Sequence, residues 1–142
     1  MKLNSPAGDS SRTGSRGGAL RIIVADDEFD TVTTLKAILS GEGYEVLGVH
    51  SGRNALEAVR HFDPDAVLID IALPDISGWE VARQIREMRG PGRPLLIAMS
   101  GLYTKTVDKL LGDVAGFDHY VTKPYDANLL ITLLRGATAE GV

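Results

Sequence analysis

The sequence predicts a doubly wound α/β fold with a five-stranded parallel sheet. Short runs of β-branched and other apolar residues alternate five times with amphipathic stretches along most of the chain. The runs IIVA, AVLI and LLIAM are almost continuously apolar, as strands covered on both faces require. Because parallel neighbours need right-handed crossovers, the alternation favours helices on both faces of one sheet.

The predicted elements follow one another in strict alternation. The strands are short apolar runs, expected at Arg21–Ala25, Tyr44–Val49, Ala66–Ile69, Leu95–Met99 and His119–Val121. The helices carry apolar residues three and four positions apart and are expected at Asp30–Ser40, Gly52–His61, Trp79–Met88, Lys105–Leu111 and Asn128–Arg135. Asp126 is placed to cap the last helix.

Composition limits the classes of function. The length of 142 residues fits one compact domain, and the net charge of −4 predicts no basic surface for nucleic acid or an anionic membrane. The absence of cysteine excludes disulfides, thiolate metal sites and cysteine nucleophiles. No apolar run approaches the roughly 20 residues that a transmembrane helix needs, so a cytoplasmic protein without membrane contacts is expected.

Three segments are predicted from the changes in composition. Residues 1–19 are rich in Ser and Gly and are expected to form a flexible tail. Residues 20–136 are expected to form the folded domain, and residues 137–142 a short C-terminal tail. A tail of that length is too short for an output domain, which leaves a stand-alone protein and a portion of a longer one as alternatives.

Polar residues follow four of the predicted strands where each strand ends. They are Asp26, Asp27 and Glu28 after the first strand, Asp70 after the third, Ser100 and Gly101 after the fourth, and Thr122, Lys123 and Pro124 after the fifth. In an open α/β sheet, the site lies beyond the carboxyl ends of the strands. These side chains are therefore expected to share one edge of the sheet.

The combination suggests phosphoryl transfer. Asp26, Asp27 and Asp70 would repel one another unless a cation relieved them, and Mg²⁺, or Mn²⁺ in its place, prefers such oxygen ligands. Lys123 and the Ser100 hydroxyl supply the positive charge and the donor that a phosphoryl group in transit requires. The Asp70 carboxylate is the candidate nucleophile.

Each of these residues also has an ordinary structural explanation. A single Asp at a strand end often caps a helix or forms a turn, and Asp26–Glu28 would serve as a solvated cap for the helix near Asp30. Lys123 alone would be read as a surface lysine. The histidines at 50, 61 and 119 lie on different elements and are expected at the surface.

Four motifs resemble the receiver domains of bacterial response regulators and hybrid kinases. They are IIVADDE at 22–28, VLIDIALPDISGWE at 67–80, IAMSG at 97–101 and HYVTKP at 119–124. The resemblance implies a flavodoxin-like doubly wound (βα)5 fold with strand order 2-1-3-4-5. It also implies a role in a two-component or phosphorelay system, with a sensor histidine kinase or a histidine phosphotransfer protein as the phosphohistidine donor.

The same resemblance implies roles for individual residues. Asp70 would be the phosphoacceptor that becomes 4-aspartylphosphate. Asp27 would bind the metal directly with support from Asp26, and Asp70 and the main-chain carbonyl of Ala72 would be further ligands. No organic cofactor is expected.

The response to phosphorylation is also implied by the resemblance. Ser100 and Lys123 would contact the phosphoryl group, and Tyr120 would turn inward as Ser100 moves. The Lys123–Pro124 peptide bond would be cis. The C-terminal helix carries more apolar residues than the single stripe that a helix on a sheet buries, at Leu129, Leu130, Ile131, Leu133 and Leu134. Either neighbouring loops cover the surplus, or the face of the fourth predicted helix, the fifth strand and the fifth helix is an output surface that contacts an effector or a second copy of the chain.

The resemblance implies a signalling phosphoacceptor that catalyses its own phosphorylation rather than a turnover enzyme. Slow autodephosphorylation is expected, because Ala72 and Leu102 offer no side-chain hydrogen bond to a hydrolytic water. An enzyme of the haloacid-dehalogenase type would need a second Asp at position 72. A flavin-phosphate binder would not place Asp26–Glu28 in its phosphate loop, and a degenerate receiver would lack part of the acidic, Ser and Lys set.

Overall fold

The computed structural model describes residues 18–101 and 115–140. Most of the predicted N-terminal tail, the predicted helix at Lys105–Leu111 and Leu102 lie outside the described residues. None of the helices in the described part of the chain is long and apolar enough to cross a membrane.

The sheet has the predicted topology. Its strands are β1 (Arg21–Ala25), β2 (Glu45–Val49), β3 (Ala66–Asp70), β4 (Leu95–Ser100) and β5 (His119–Thr122). All neighbours are parallel, in the order β2-β1-β3-β4-β5. β3 lies at the centre and is buried along its whole length, which explains why its sequence is apolar up to Asp70.

The described helices are α1 (Phe29–Gly41), α2 (Gly52–Phe62), α3 (Gly78–Arg89) and a C-terminal helix, α4 (Ala127–Glu140). Serine side chains cap two of them: Ser51 Oγ accepts from the Asn54 N–H, and Ser77 Oγ accepts from the Glu80 N–H. The predicted cap of α4 is confirmed, since Asp126 Oδ1 accepts from the Asn128 N–H at 2.9 Å.

The C-terminal helix is longer than the sequence predicted. It continues through Gly136 to Glu140, so the end predicted at Arg135 was wrong, and residues 137–140 of the predicted tail are helical. A single glycine weakens a helix by only about 1 kcal/mol, and the alanines at 137 and 139 and Glu140 are compatible with helix. Gly136 was therefore not a sufficient stop signal.

Two hydrophobic clusters cover the two faces of the sheet. One lies beneath α2 and α3 and includes Ile23, Val67, Ile69, Val59 and Ile85. The other lies beneath α1 and α4 and includes Ile22, Leu68, Leu35, Leu130 and Leu134. Successive residues of a strand point to opposite faces, so each interior strand contributes to both clusters. The polar residues therefore lie at the ends of the strands.

Candidate functional site

The register of the sheet brings the predicted polar residues to one edge. Ala25 pairs with Ile69, so Asp26, which follows β1, and Asp70, the last residue of β3, lie at the same level on neighbouring strands. Ser100 pairs with Thr122, and the Lys123 N–H donates to the Ser100 carbonyl at 2.8 Å. The carboxyl ends of four strands thus carry the candidate site.

Asp26, Asp27 and Asp70 form an acidic cluster in which one carboxylate oxygen of each lies within 4.8 Å of the others. Asp26 is fully buried and Asp70 is almost fully buried, whereas Asp27 is exposed. Backbone amides fix the two buried carboxylates. The Glu28 N–H donates to Asp26 Oδ1 at 2.9 Å, and the Ala72 N–H donates to Asp70 Oδ1 at 3.0 Å.

Lys123 places its ammonium group between the buried carboxylates. Its Nζ lies 2.9 Å from Asp26 Oδ2 and 3.4 Å from Asp70 Oδ2. Glu28 Oε1 lies 3.7 Å away on the exposed side. Desolvation lowers the pKa of Lys123, but the hydrogen bond and charge of Asp26, followed by those of Asp70, outweigh it and raise the pKa. The lysine is held in its charged form.

The environment of Asp70 raises its pKa. Burial raises the pKa of Asp70 most strongly, the Ala72 hydrogen bond lowers it, the Asp26 charge raises it, and Lys123 lowers it. The net shift is upward. A further cation beside Asp70 would oppose this shift and favour the ionised form.

The donor set fits a hard divalent cation. The cluster holds three carboxylates, and the one ammonium group beside it, that of Lys123, contacts Asp26 and Asp70, which leaves uncompensated negative charge beside the buried oxygens. All three donors are carboxylate oxygens, the type that Mg²⁺ and Mn²⁺ prefer, and the exposed Asp27 leaves a solvent side for water ligands. The carbonyl of Ala72 as a further ligand remains a prediction.

The loop after β3 is held by close backbone contacts. The Gly78 N–H donates to the Ile71 carbonyl at 2.9 Å, and a Cβ at position 78 would lie 2.7 Å from the Asp70 carbonyl oxygen. Asp75 accepts from the N–H groups of Gly52 and Arg53 at 2.7 and 3.0 Å. The loop is thereby fixed to both β3 and α2.

Sequence reasoning missed His50 and Phe29 at this edge. His50 was expected to be a solvated surface residue, but it is half-buried and its Nδ1 lies 3.0 Å from the Asp26 carbonyl oxygen. Phe29 stacks on its ring with centroids 3.8 Å apart. The available signal was position alone, because His50 directly follows β2 at the carboxyl edge of the sheet.

The Lys123–Pro124 bond is cis, as the resemblance implied, and the Arg93–Pro94 bond is also cis. Tyr120 lies half-buried on β5, where it pairs with Ala98 of β4. It is two residues before Thr122, which pairs with Ser100. The two predicted switch residues therefore lie on neighbouring strands.

Comparison with known protein families identifies the family of this chain. Residues 22–135 match the family model described as the response regulator receiver domain. The chain belongs to this family. The match includes all of β1 but its first residue, β2 to β5 and most of α4, and with them every residue of the acidic cluster and Lys123. The receiver domain is a component of two-component signalling systems.

Relatives are known both as sequences and as structures. The DNA-binding response regulator MtrA of Mycolicibacterium paratuberculosis is 37% identical over 81% of this chain and 49% of its own length. The transcriptional regulatory protein TcrA of Mycobacterium tuberculosis is 35% identical over 92% of this chain and 50% of its own. The chain thus spans about half the length of these curated relatives.

Solved receiver domains show the same architecture. A CheY-like receiver domain protein from Methanospirillum hungatei superposes with a TM-score of 0.80 at 27% identity, covering 87% of this chain and 97% of that one. The BeF3-activated DrrB receiver domain superposes with a TM-score of 0.77 at 27% identity, covering 85% and 98%. The match covers almost the whole length of these two solved chains, but only about half the length of MtrA and TcrA.

Proposed function

We propose that this receiver domain accepts a phosphoryl group on Asp70 from a phosphohistidine, with a Mg²⁺ or Mn²⁺ ion held by Asp26, Asp27 and Asp70. The observation that carries the proposal is the acidic cluster, in which one oxygen of each of three carboxylates lies within 4.8 Å of the others and the Lys123 ammonium group contacts two of them, Asp26 and Asp70. A carboxylate nucleophile, a cation site and a positive side chain are the groups that phosphoryl transfer requires.

The chemical step needs little beyond positioning. An Asp70 carboxylate oxygen attacks the phosphorus atom, a P–O bond forms, and the P–N bond to the donor imidazole breaks. The imidazole leaves with the bonding electrons and takes up a proton. The Ala72 N–H donates to Asp70 Oδ1, and the Lys123 ammonium group lies beside the second oxygen, Oδ2, which we take as the attacking atom.

The remaining groups stabilise the negative charge of the phosphoryl oxygens. Lys123 is kept charged and lies beside the attacking oxygen. Ser100 ends β4, the strand next to β3, and offers a hydroxyl donor. A bound divalent cation would neutralise the phosphoryl oxygens and the acidic cluster together. The main-chain carbonyl of Ala72 is proposed as a further ligand.

The proposed partners follow from this chemistry. A sensor histidine kinase or a histidine phosphotransfer protein would supply the phosphohistidine. Ser100 and Tyr120 would then change arrangement and alter a surface that includes β5 and α4, which binds an effector or a second copy of the chain. Leu129 on α4 is 44% exposed and provides an apolar contact on this surface.

The proposal is tested by intact mass after incubation with acetyl phosphate and Mg²⁺. We expect the mass of one phosphoryl group to be added to the wild type, and none to Asp70→Asn or to wild type with a chelator. Asp27→Ala should lose most of the adduct at ordinary Mg²⁺ concentrations, because a carboxylate ligand is removed.

Asp30→Asn is the matched control, since Asp30 is an exposed aspartate in the first turn of α1 outside the cluster. It should phosphorylate like the wild type. An adduct that persists unchanged in Asp70→Asn would move the acceptor to another residue. Full phosphorylation of Asp27→Ala without added metal would contradict the assignment of Asp27 as a metal ligand.

A further inference from the structure

Three aromatic rings meet beside the proposed switch. The ring centroids of Trp79 and Phe117 are 5.7 Å apart at 75°, and those of Phe117 and Tyr120 are 6.0 Å apart at 58°. Trp79 and Tyr120 close the triangle at 6.5 Å and 50°. All three separations lie in the range in which aromatic pairs attract one another. Tyr120 is thus held from two sides by other rings.

The other two rings are fixed to the framework of the domain. Trp79 directly follows Gly78, whose backbone packs against the carbonyl of Asp70. Phe117 is buried between Gly116 and Asp118, and Arg86 of α3 donates to the Gly116 carbonyl at 3.0 Å and to Asp118 Oδ2 at 2.8 Å. Both neighbours of Tyr120 are therefore anchored to α3.

In this arrangement Asp70 Oδ2 lies 3.4 Å from the Lys123 ammonium group. Any turn of Tyr120 away from this arrangement has to break its contacts with Trp79 and Phe117. An aromatic pair of this kind shifts a two-state equilibrium by about 2- to 12-fold. The contact of Trp79 with Tyr120 is large enough to bias a switch.

We propose that Trp79 is a positioning residue for Tyr120, which holds it in the arrangement described above and so sets how readily phosphorylation turns the switch. This inference rests on the proposed function, because it assumes that Tyr120 moves when Asp70 is occupied. It adds the N-terminal end of α3 to the switch, through a residue that is not a member of the acidic cluster.

The test is a titration with beryllofluoride, a phosphoryl mimic, at fixed Mg²⁺, followed by the ¹⁹F NMR signal of the bound mimic. Trp79→Leu should bind the mimic about 2- to 12-fold more tightly than the wild type, because the competing arrangement is weakened. Trp79→Phe, which keeps an aromatic ring, should stay closer to the wild type. Trp79→Met serves as a second variant in case the leucine variant does not fold, and it should bind the mimic more tightly to the same degree.

The same titration in a Tyr120→Leu background separates positioning from simple packing. There, Trp79→Leu should change the affinity no further. Met88→Ala is the matched control, because Met88 is a partly buried residue near the other end of α3 that packs against the same hydrophobic cluster. It should leave the affinity for the mimic unchanged.

Two results would overturn the inference while leaving the proposed function intact: an unchanged affinity in Trp79→Leu, or an equal change in the wild-type and Tyr120→Leu backgrounds. Failure of the proposed function has a different signature. In that case the wild type would not bind the mimic, or Asp70→Asn would bind it equally well, and the inference would fall with it.

Discussion

Asp75 shows how one side chain outside the chemistry shapes the site. Its carboxylate accepts from the N–H groups of Gly52 and Arg53, at the positive end of α2. Desolvation raises the pKa of Asp75, but the hydrogen bonds from Arg53 and Gly52 outweigh it, and the pKa falls to about 2. The loop that follows Asp70 is therefore held by an ionised carboxylate.

The stability of the domain should depend on pH through Asp75. Its folded pKa of about 2 lies below the unfolded value of about 4, so its contribution is present above pH 4 and is lost as the pH falls toward 2. Asp75→Asn should lower the free energy of unfolding by about 1 kcal/mol at pH 7. Denaturant unfolding of both proteins should show this difference shrinking between about pH 4 and pH 2. A difference that is constant over this interval would contradict the assignment.

The lifetime of the phosphorylated state should depend on position 72. Ala72 is exposed beside Asp70 and has no side-chain group that could position a water molecule. We expect Ala72→Asn to accelerate loss of the phosphoryl group, above all when it is combined with a polar residue in place of Leu102. The decay of the phosphorylated protein after removal of acetyl phosphate measures this rate. Equal decay in the wild type and the double variant would show that these positions do not control the lifetime.

The residues of the acidic cluster were predictable because each has a local signal. Asp26, Asp27 and Asp70 end apolar strands, and the sheet topology alone brings such ends together. Asp75 and Trp79 have no comparable signal. Their roles depend on how the loop after β3 meets α2 and on which rings the start of β5 brings to α3, and both contacts are set by packing between elements that are distant in sequence.

The junction between β3 and α3 requires glycine at position 78. A Cβ there would lie 2.7 Å from both the Asp70 carbonyl oxygen and the Ile71 Cα, and neither backbone atom can move without displacing the strand end. Gly78→Ala should cost about 1–3 kcal/mol of unfolding free energy and slow phosphorylation of Asp70. Chemical denaturation and the acetyl phosphate reaction measure the two effects.

Gly41→Ala is the control for the Gly78 variant, because nothing lies within 4 Å of a Cβ at that helical position. It should leave phosphorylation unchanged and stabilise the domain slightly, since alanine favours helix over glycine. If Gly78→Ala behaved in the same way as Gly41→Ala, close packing at the β3–α3 junction would not be required.

The C-terminal helix divides its leucines between the core and the surface. Leu130 is fully buried, whereas Leu129 is 44% exposed. Leu130→Ala should lower the free energy of unfolding by about 2–5 kcal/mol, and Leu129→Gln should change it by less than about 0.5 kcal/mol.

Sedimentation of the wild type and Leu129→Gln, each with and without beryllofluoride, tests the proposed output surface on α4. We expect the mimic to promote association or partner binding less in the variant. Equal behaviour of all four samples would leave α4 a structural element only.

The order and type of the described elements followed from the sequence because each strand is an apolar run and each helix an amphipathic one. Their ends were less predictable. The apolar pattern stops one residue before β3 and β4 end. Their last residues, Asp70 and Ser100, have polar side chains but still belong to the strands. The end of α4 was missed because the glycine that suggested a stop is tolerated inside the helix.

At the scale of the whole molecule, the strand order explains why this edge of the sheet is the site. β1 and β3 are neighbours in its interior, so their terminal aspartates lie side by side and are buried by the surrounding elements. Lys123 follows β5, three strands away from β1, and only a long side chain can reach Asp26 from there. The fold thus assembles charges that are 97 residues apart along the chain.

The most direct test of the account is the chemical identity of the modified residue. After reaction with acetyl phosphate and Mg²⁺, borohydride reduction converts an aspartyl phosphate to homoserine, which peptide mapping by mass spectrometry locates. We expect homoserine at position 70 and at no other aspartate. No homoserine should form when Mg²⁺ is removed. Homoserine at another position, or phosphate incorporation without homoserine at position 70, would contradict it.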